Sequence, residues 1–150
     1  MNKLQDLFIV LQNAKRNIQT IHWHVTGLNF DVYHKEITDG LIDTISEDVD
    51  GVAEYLIRYG HAIPTSVEEV TLAIKYELPS YPSEFINERT AAFKIDDCLK
   101  YIFEAIREAL DEAEKCDGEC RDIVNYLEGL LDNYSKEYKF FSKARLKEID

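Results

Sequence analysis

The sequence predicts an all-α subunit, a four-helix bundle with a short extra helix in the long crossover between helices 2 and 3. Three observations carry this. Long stretches repeat their apolar residues at three- and four-residue steps. Glycine and proline are scarce, at six and three, and no stretch alternates apolar and polar residues as a strand does. The connection in the middle of the chain is far longer than the other two. A chain of 150 residues forms a single domain around one core.

In the first helix, Leu4, Leu7, Phe8, Leu11, Ala14, Ile18, Ile21 and Val25 share one face, and Gly27 ends it. Asn29 or Asp31 is placed to cap the second, which runs from about Phe30 to Tyr59. Its apolar stripe is Ile37, Leu41, Ile45, Val49, Val52 and Leu56, and Gly60 stops it. A linker of about two dozen residues follows, punctuated by Pro64, Pro79 and Pro82. Within it Ser66-Val67-Glu68-Glu69 reads as a capping box for a short helix reaching about Lys75. The third long helix starts near Ser83 or Glu84, buries Phe93, Leu99, Ile102, Phe103, Ile106 and Leu110, and breaks at Gly118. The fourth carries Ile123, Leu127, Leu130, Leu131, Tyr134, Tyr138 and Phe141. Short first and third joints make antiparallel hairpins, and a middle joint long enough to cross the bundle gives the connectivity of ferritin-like folds.

Charge narrows the partners. With 29 acidic against 17 basic residues the net charge is -12, which repels nucleic acid and anionic membranes and concentrates cations. No apolar run approaches the ~18 residues of a membrane span. The first residues enter the helical pattern at once, so no signal peptide is expected. Three cysteines, Cys98, Cys116 and Cys120, are too few and too uneven for a disulfide framework and suit a reducing, cytoplasmic setting. Cys116 and Cys120 flank Gly118 as either a metal pair or free thiols at a helix junction.

Three of the four histidines, His22, His24 and His34, lie within thirteen residues, followed by Asp39, Asp43, Glu47, Asp50 and Glu54. At 100° per residue Asp39, Asp43, Asp50 and Glu54 fall within about 60° of one another, away from the apolar face. Imidazole and carboxylate suit iron, manganese or zinc. Spacing alone does not make a site, because an acidic stripe on a long helix is ordinarily a solvated face. On an uninterrupted helix His34 points some 140° away from Asp39.

The run His22-Trp23-His24-Val25-Thr26-Gly27-Leu28-Asn29-Phe30, with His34 twelve residues after His22, resembles the signature of the Dps family. Asp39 and Asp50-Gly51-Val52-Ala53-Glu54 resemble its second half. The resemblance implies a ferroxidase: iron(II) oxidised, typically by hydrogen peroxide, and stored as ferric mineral in a hollow dodecamer. Zinc or manganese are conceivable surrogates. It also implies a metal site shared across a twofold axis. His22, His34 and Asp39 would come from one chain, and Asp50 and Glu54 from its neighbour.

One position departs from the pattern. The family's first aspartate falls four residues after the second histidine, where this chain has Thr38, so Asp39 matches only if one residue is inserted. A π-bulge or shifted helix start would absorb it, a bulge turning His34 by about 100° onto the carboxylate side. Alternatively Thr38 replaces the ligand, leaving a shell or nucleoid-associated protein with a weakened or lost site. Trp23 is either an interface or core aromatic, or a sacrificial reductant. Asp117, Glu119 and Asp122 near the third turn are either solvated or a cation pore. Lys136, Lys139, Lys143, Arg145 and Lys147 are followed at once by Glu148 and Asp150, so direct DNA binding is not expected.

Overall fold

The computed structural model describes residues 2–66, 68, 78–116 and 118–140. Beyond Glu68, the short helix expected to reach Lys75 lies outside the described residues, as do Asp117 and the basic and acidic residues from Lys143 onward.

Four long elements follow the apolar periodicity. Helix α1 (Asn2–His24) buries Leu4, Leu7, Leu11, Ile18 and Ile21. A π-helical segment (Val32–Thr38) leads into α2 (Asp39–Arg58), which buries Leu41, Ile45, Val52 and Leu56. Helix α3 (Glu88–Glu114) buries Ile95, Leu99, Ile102 and Ile106, and α4 (Arg121–Phe140) adds Ile123, Leu127 and Tyr134. Helix α1 packs on α2 and α3, and α3 on α4. Each fully buried aliphatic chain in this core is worth roughly 1.5–3 kcal/mol over leaving it in water.

The seam between α2 and α4 is filled by tyrosines. Tyr55 stacks on Tyr126 with ring centroids 4.6 Å apart, and the Tyr134 hydroxyl donates to Asp48 at 2.6 Å. Gly51 is the close approach that lets this seam shut, since a Cβ there would collide with the Tyr126 hydroxyl. Gly51→Ala is therefore expected to cost about 1–3 kcal/mol through overpacking. At Gly129, where nothing lies within 4 Å, the same exchange is expected to stabilise the helix by about 0.5–1 kcal/mol. Thermal unfolding of the two variants, with Tyr126→Phe as the rescue of Gly51→Ala, checks the sign of each.

The described residues at the two ends of the crossover meet α1. Gln5 Nε2 donates to Ala62 O (3.2 Å) near its start. Further along, Asn13 and Asn17 both donate to Pro79 O (3.0 and 2.7 Å), and Tyr81 N donates to Asn17 Oδ1 (3.2 Å). This is why Asn17, on the core side of α1, is buried yet satisfied. Beyond Tyr81, β1 (Val25–Thr26) pairs in parallel with β2 (Ile86–Asn87).

That pairing changes two expectations. No strand was foreseen, because two residues are too few to show alternation. The third helix begins at Glu88 rather than near Ser83, since Ile86 and Asn87 are held extended and Asn87 caps the helix by accepting from Thr90 N (2.8 Å). Phe93, expected in the buried stripe, is 39% exposed, on the rim where Arg89 lies over its ring. The side chain of Asp31 caps nothing; the Asn29 carbonyl instead accepts from Val32 N and Tyr33 N (3.0 and 3.2 Å).

Candidate metal centre

The last turn of α1 and the π-helical segment bring His22 and His34 together. Their rings stack with centroids 3.8 Å apart and planes 13° from parallel. A π-helical segment over Val32–Thr38 is the local form that the extra residue between His34 and Asp39 demands. Phe30 covers the other face of His34, centroid to centroid 4.8 Å, so the three rings form one column.

Hydrogen bonds fix both imidazoles. His34 Nδ1 faces the His22 carbonyl at 2.8 Å. A carbonyl only accepts, so this nitrogen carries a proton, and in the neutral ring Nε2 keeps its lone pair. His22 Nδ1 faces Thr38 Oγ1 at 2.8 Å. The single hydroxyl proton of Thr38 is directed at backbone carbonyls, Tyr33 O at 2.6 Å and His34 O at 3.1 Å. Thr38 Oγ1 therefore accepts from His22, which leaves His22 Nε2 bare as well. Metal-ligating histidines are held in this way, with the second nitrogen donating to an oxygen that sets tautomer and orientation.

The charge state agrees. Burial holds the His22 imidazole below its ordinary pKa, and the neighbouring His34 lowers it further, while the Asp39 carboxylate opposes both. Asp39 is thus within electrostatic reach of His22. His24 is turned elsewhere, bonded through Nδ1 to Thr20 O (2.7 Å) and tilted against Phe85.

The loop joining α1 to the π-helical segment is clamped from α3. Glu88 accepts from Asn29 N (2.5 Å) and Asn29 Nδ2 (3.0 Å). Gly27 has φ +132°, and a Cβ there would strike the Glu88 carboxylate. Gly27, Asn29 and Phe30 thereby acquire reasons: the glycine admits the clamp, the asparagine is clamped, and the phenylalanine backs His34. Sequence reasoning missed Thr38 as the residue that orients His22, and missed Glu88 entirely.

Asp50 and Glu54 are exposed on α2. At 1.5 Å per residue they lie about 16 and 22 Å along the helix from Asp39. Among the described residues of one chain no three His, Cys, Asp or Glu side chains gather closely enough to hold a metal ion. Of the five residues singled out, the structure brings His22, His34 and Asp39 to one end and leaves Asp50 and Glu54 apart. Both places carry exposed apolar side chains, Trp23 (63% exposed), Leu28 and Phe30 beside the histidines and Ile57 beside Glu54.

Neither a protein-family model nor a curated protein matches the sequence. Solved structures do match in fold. The Helicobacter cinaedi CAIP crystal structure superposes with a TM-score of 0.85 at 16% identity, covering 97% of each chain. Dps from Staphylococcus aureus gives 0.81 at 17%, over 97% of this chain and 93% of that one. Dps from Microbacterium arborescens in its high iron form gives 0.74 at 20%, over 91% and 88%. The chain has the ferritin-like four-helix fold of the Dps structures. No helix among the described residues is long and apolar enough to cross a membrane.

Proposed function

We propose that the chain is a subunit of a Dps-type miniferritin, acting in the cytoplasm as a ferroxidase and iron store. Twelve copies would close into a hollow shell, with the metal site split between neighbours at a twofold interface. The observation that carries the reading is the stacked pair of imidazoles, each held through Nδ1, His22 by Thr38 Oγ1 and His34 by the His22 carbonyl, at the end of α2 where Asp39 lies. The single chain supplies half a site, and Asp50 and Glu54 on a second copy are the complementary half. The exposed Trp23, Leu28, Phe30 and Ile57 give that interface its apolar area. Iron is also what the Microbacterium arborescens relative of this fold is described as holding.

Iron(II) is the substrate. His22, His34 and Asp39 would hold it only together with Asp50 and Glu54 of a second copy, with coordination positions left open for the oxidant. Each iron(II) gives up one electron, and a pair of them reduces one hydrogen peroxide to water with uptake of protons. The acidic surface draws the cation in and neutralises the ferric product. In this reading Thr38 does not replace a ligand but orients one, its hydroxyl facing His22 Nδ1 at 2.8 Å.

Stopped-flow oxidation of iron(II) by peroxide tests the proposal. Wild type is expected to oxidise iron well above the buffer rate, and His22→Ala and Asp50→Ala to fall to it. Equal rates for all three and buffer, or a monomer on sizing, would end the reading. A crystal soaked with zinc(II) as a redox-inert surrogate should place metal between His22 of one copy and Asp50 of another.

A further inference from the structure

The loop between α1 and the π-helical segment is organised around one residue, Asn29. Its carbonyl accepts from Val32 N and Tyr33 N (3.0 and 3.2 Å) and so starts the turn that carries His34. Its backbone N and its side-chain Nδ2 both donate to the Glu88 carboxylate, at 2.5 and 3.0 Å. Just after it, Phe30 N donates to Gly27 O (3.2 Å) and the Phe30 ring lies on His34. Just before it, Thr26 Oγ1 donates to Ile86 O (2.9 Å). Glu88 is the first residue of α3, where a carboxylate ordinarily stabilises the helix end by facing its free N–H groups. Here Asn87 caps instead, accepting from Thr90 N (2.8 Å). Glu88 reaches out of the helix to a loop 59 residues earlier.

We propose that Glu88 is a positioning residue for the metal site: by holding Asn29 it sets the His34 imidazole in place before a metal ion arrives. The identity of the metal rests on the miniferritin reading above; the ordering of the ring does not. Glu88 acts through the loop rather than on an imidazole. Asn29 passes the restraint to the first turn of the π-helical segment, and Phe30 passes it to the His34 ring, 4.8 Å away. Removing the carboxylate deletes both bonds from α3, and the ring then samples more than one orientation. Apparent affinity falls in proportion to the fraction of molecules that hold the binding orientation. A bound metal orders the ring by itself, so the rate at saturating iron is retained. This separates Glu88 from Thr38, which bonds an imidazole directly.

The test compares Glu88→Ala, Glu88→Gln and Asn29→Ala with wild type in two measurements. The first is the nitrogen-15 spectrum of the histidine rings in the metal-free full chain. Wild-type His34 is expected in one form, protonated on Nδ1 where it faces the His22 carbonyl, and Glu88→Ala in a mixture of forms. The second is titration with zinc(II) and with iron(II). Glu88→Ala is expected to need about tenfold more of either metal for half-saturation, at the low end of what loss of a ligand's support costs, with the oxidation rate at saturating iron kept. Asn29→Ala removes only the Nδ2 bond and should fall between; it also carries the comparison should Glu88→Ala fail to fold. Glu88→Gln should restore wild-type behaviour. Its amide oxygen accepts from Asn29 N, and its amide nitrogen donates to the Asn29 side chain once that amide turns over. A lower unfolding temperature with ring form and half-saturation unchanged would mark a purely structural tie and overturn the proposal. So would a loss of saturated rate at unchanged half-saturation. A wild type that leaves iron unoxidised ends the ferroxidase reading, and the ring spectrum still decides the role of Glu88.

Discussion

About a quarter of wild-type iron oxidation is expected to return when His22→Ala and Asp50→Ala subunits, each inactive alone, are mixed as unfolded chains and assembled together, if the site is shared across a twofold interface as proposed. A twofold interface holds two equivalent sites, each built from the histidine half of one chain and the carboxylate half of the other. In a mixed pair one site receives both damaged halves and the other receives both sound ones. Random pairing makes about half the interfaces mixed, and half the sites in those are intact. A site contained within one chain gives no recovery at any mixing ratio. The prediction follows from the separation of about 16 Å along α2 between Asp39 and Asp50, which no side chain spans. Stopped-flow rates at several mixing ratios check it, with the maximum expected at equal amounts.

Thr38→Val is expected to lower iron oxidation by about 10–100-fold while the subunit still folds and assembles, the range found when a group orienting a metal-bound histidine is removed. Valine keeps the shape of a fully buried side chain and deletes the acceptor for His22 Nδ1–H. It also deletes the donor to Tyr33 O. Leaving those buried groups unsatisfied costs about 1–3 kcal/mol, which thermal unfolding reads separately from rate. Thr38→Ser, which retains the hydroxyl, should keep most of the activity. The pH profile distinguishes a positioning role from a merely structural one. In wild type, burial keeps His22 neutral below the ordinary imidazole value, so zinc binding to the apo protein holds as the pH falls through 6.5 and is lost only at lower pH. In Thr38→Val the freed ring rotates or changes tautomer, and the loss moves. Nitrogen-15 shifts of the histidine rings report the tautomer directly.

The four helices were legible because burial imposes a period on the residue types themselves: Leu4, Leu7, Leu11, Ile18 and Ile21 announce a face wherever they are read. The carboxylate stripe was legible for the same reason. The irregular register was visible as a miscount, one residue too many between His34 and Asp39, and the π-helical segment is its physical form. The sequence left open whether Thr38 replaces a ligand or follows an inserted residue, because residue type does not disclose hydrogen-bond direction. Only the geometry shows its proton committed to carbonyls and its lone pair turned to His22. Glu88 left no signal, since its partner Asn29 lies 59 residues earlier and nothing local marks the pair. The β1–β2 pairing escaped because backbone groups make it, leaving no pattern in side chains.

The pairing of β1 with β2 just before Glu88 has a consequence for the order in which the subunit acquires its parts. The His22–His34 stack joins residues close in sequence and can form as soon as the first hairpin does. The clamp on the loop beneath it waits until the chain has closed a loop of some 60 residues, from Thr26 to Asn87. Local contacts form early in folding and long loops close late. The imidazoles thus meet in a nascent chain before the loop beneath them is secured from α3.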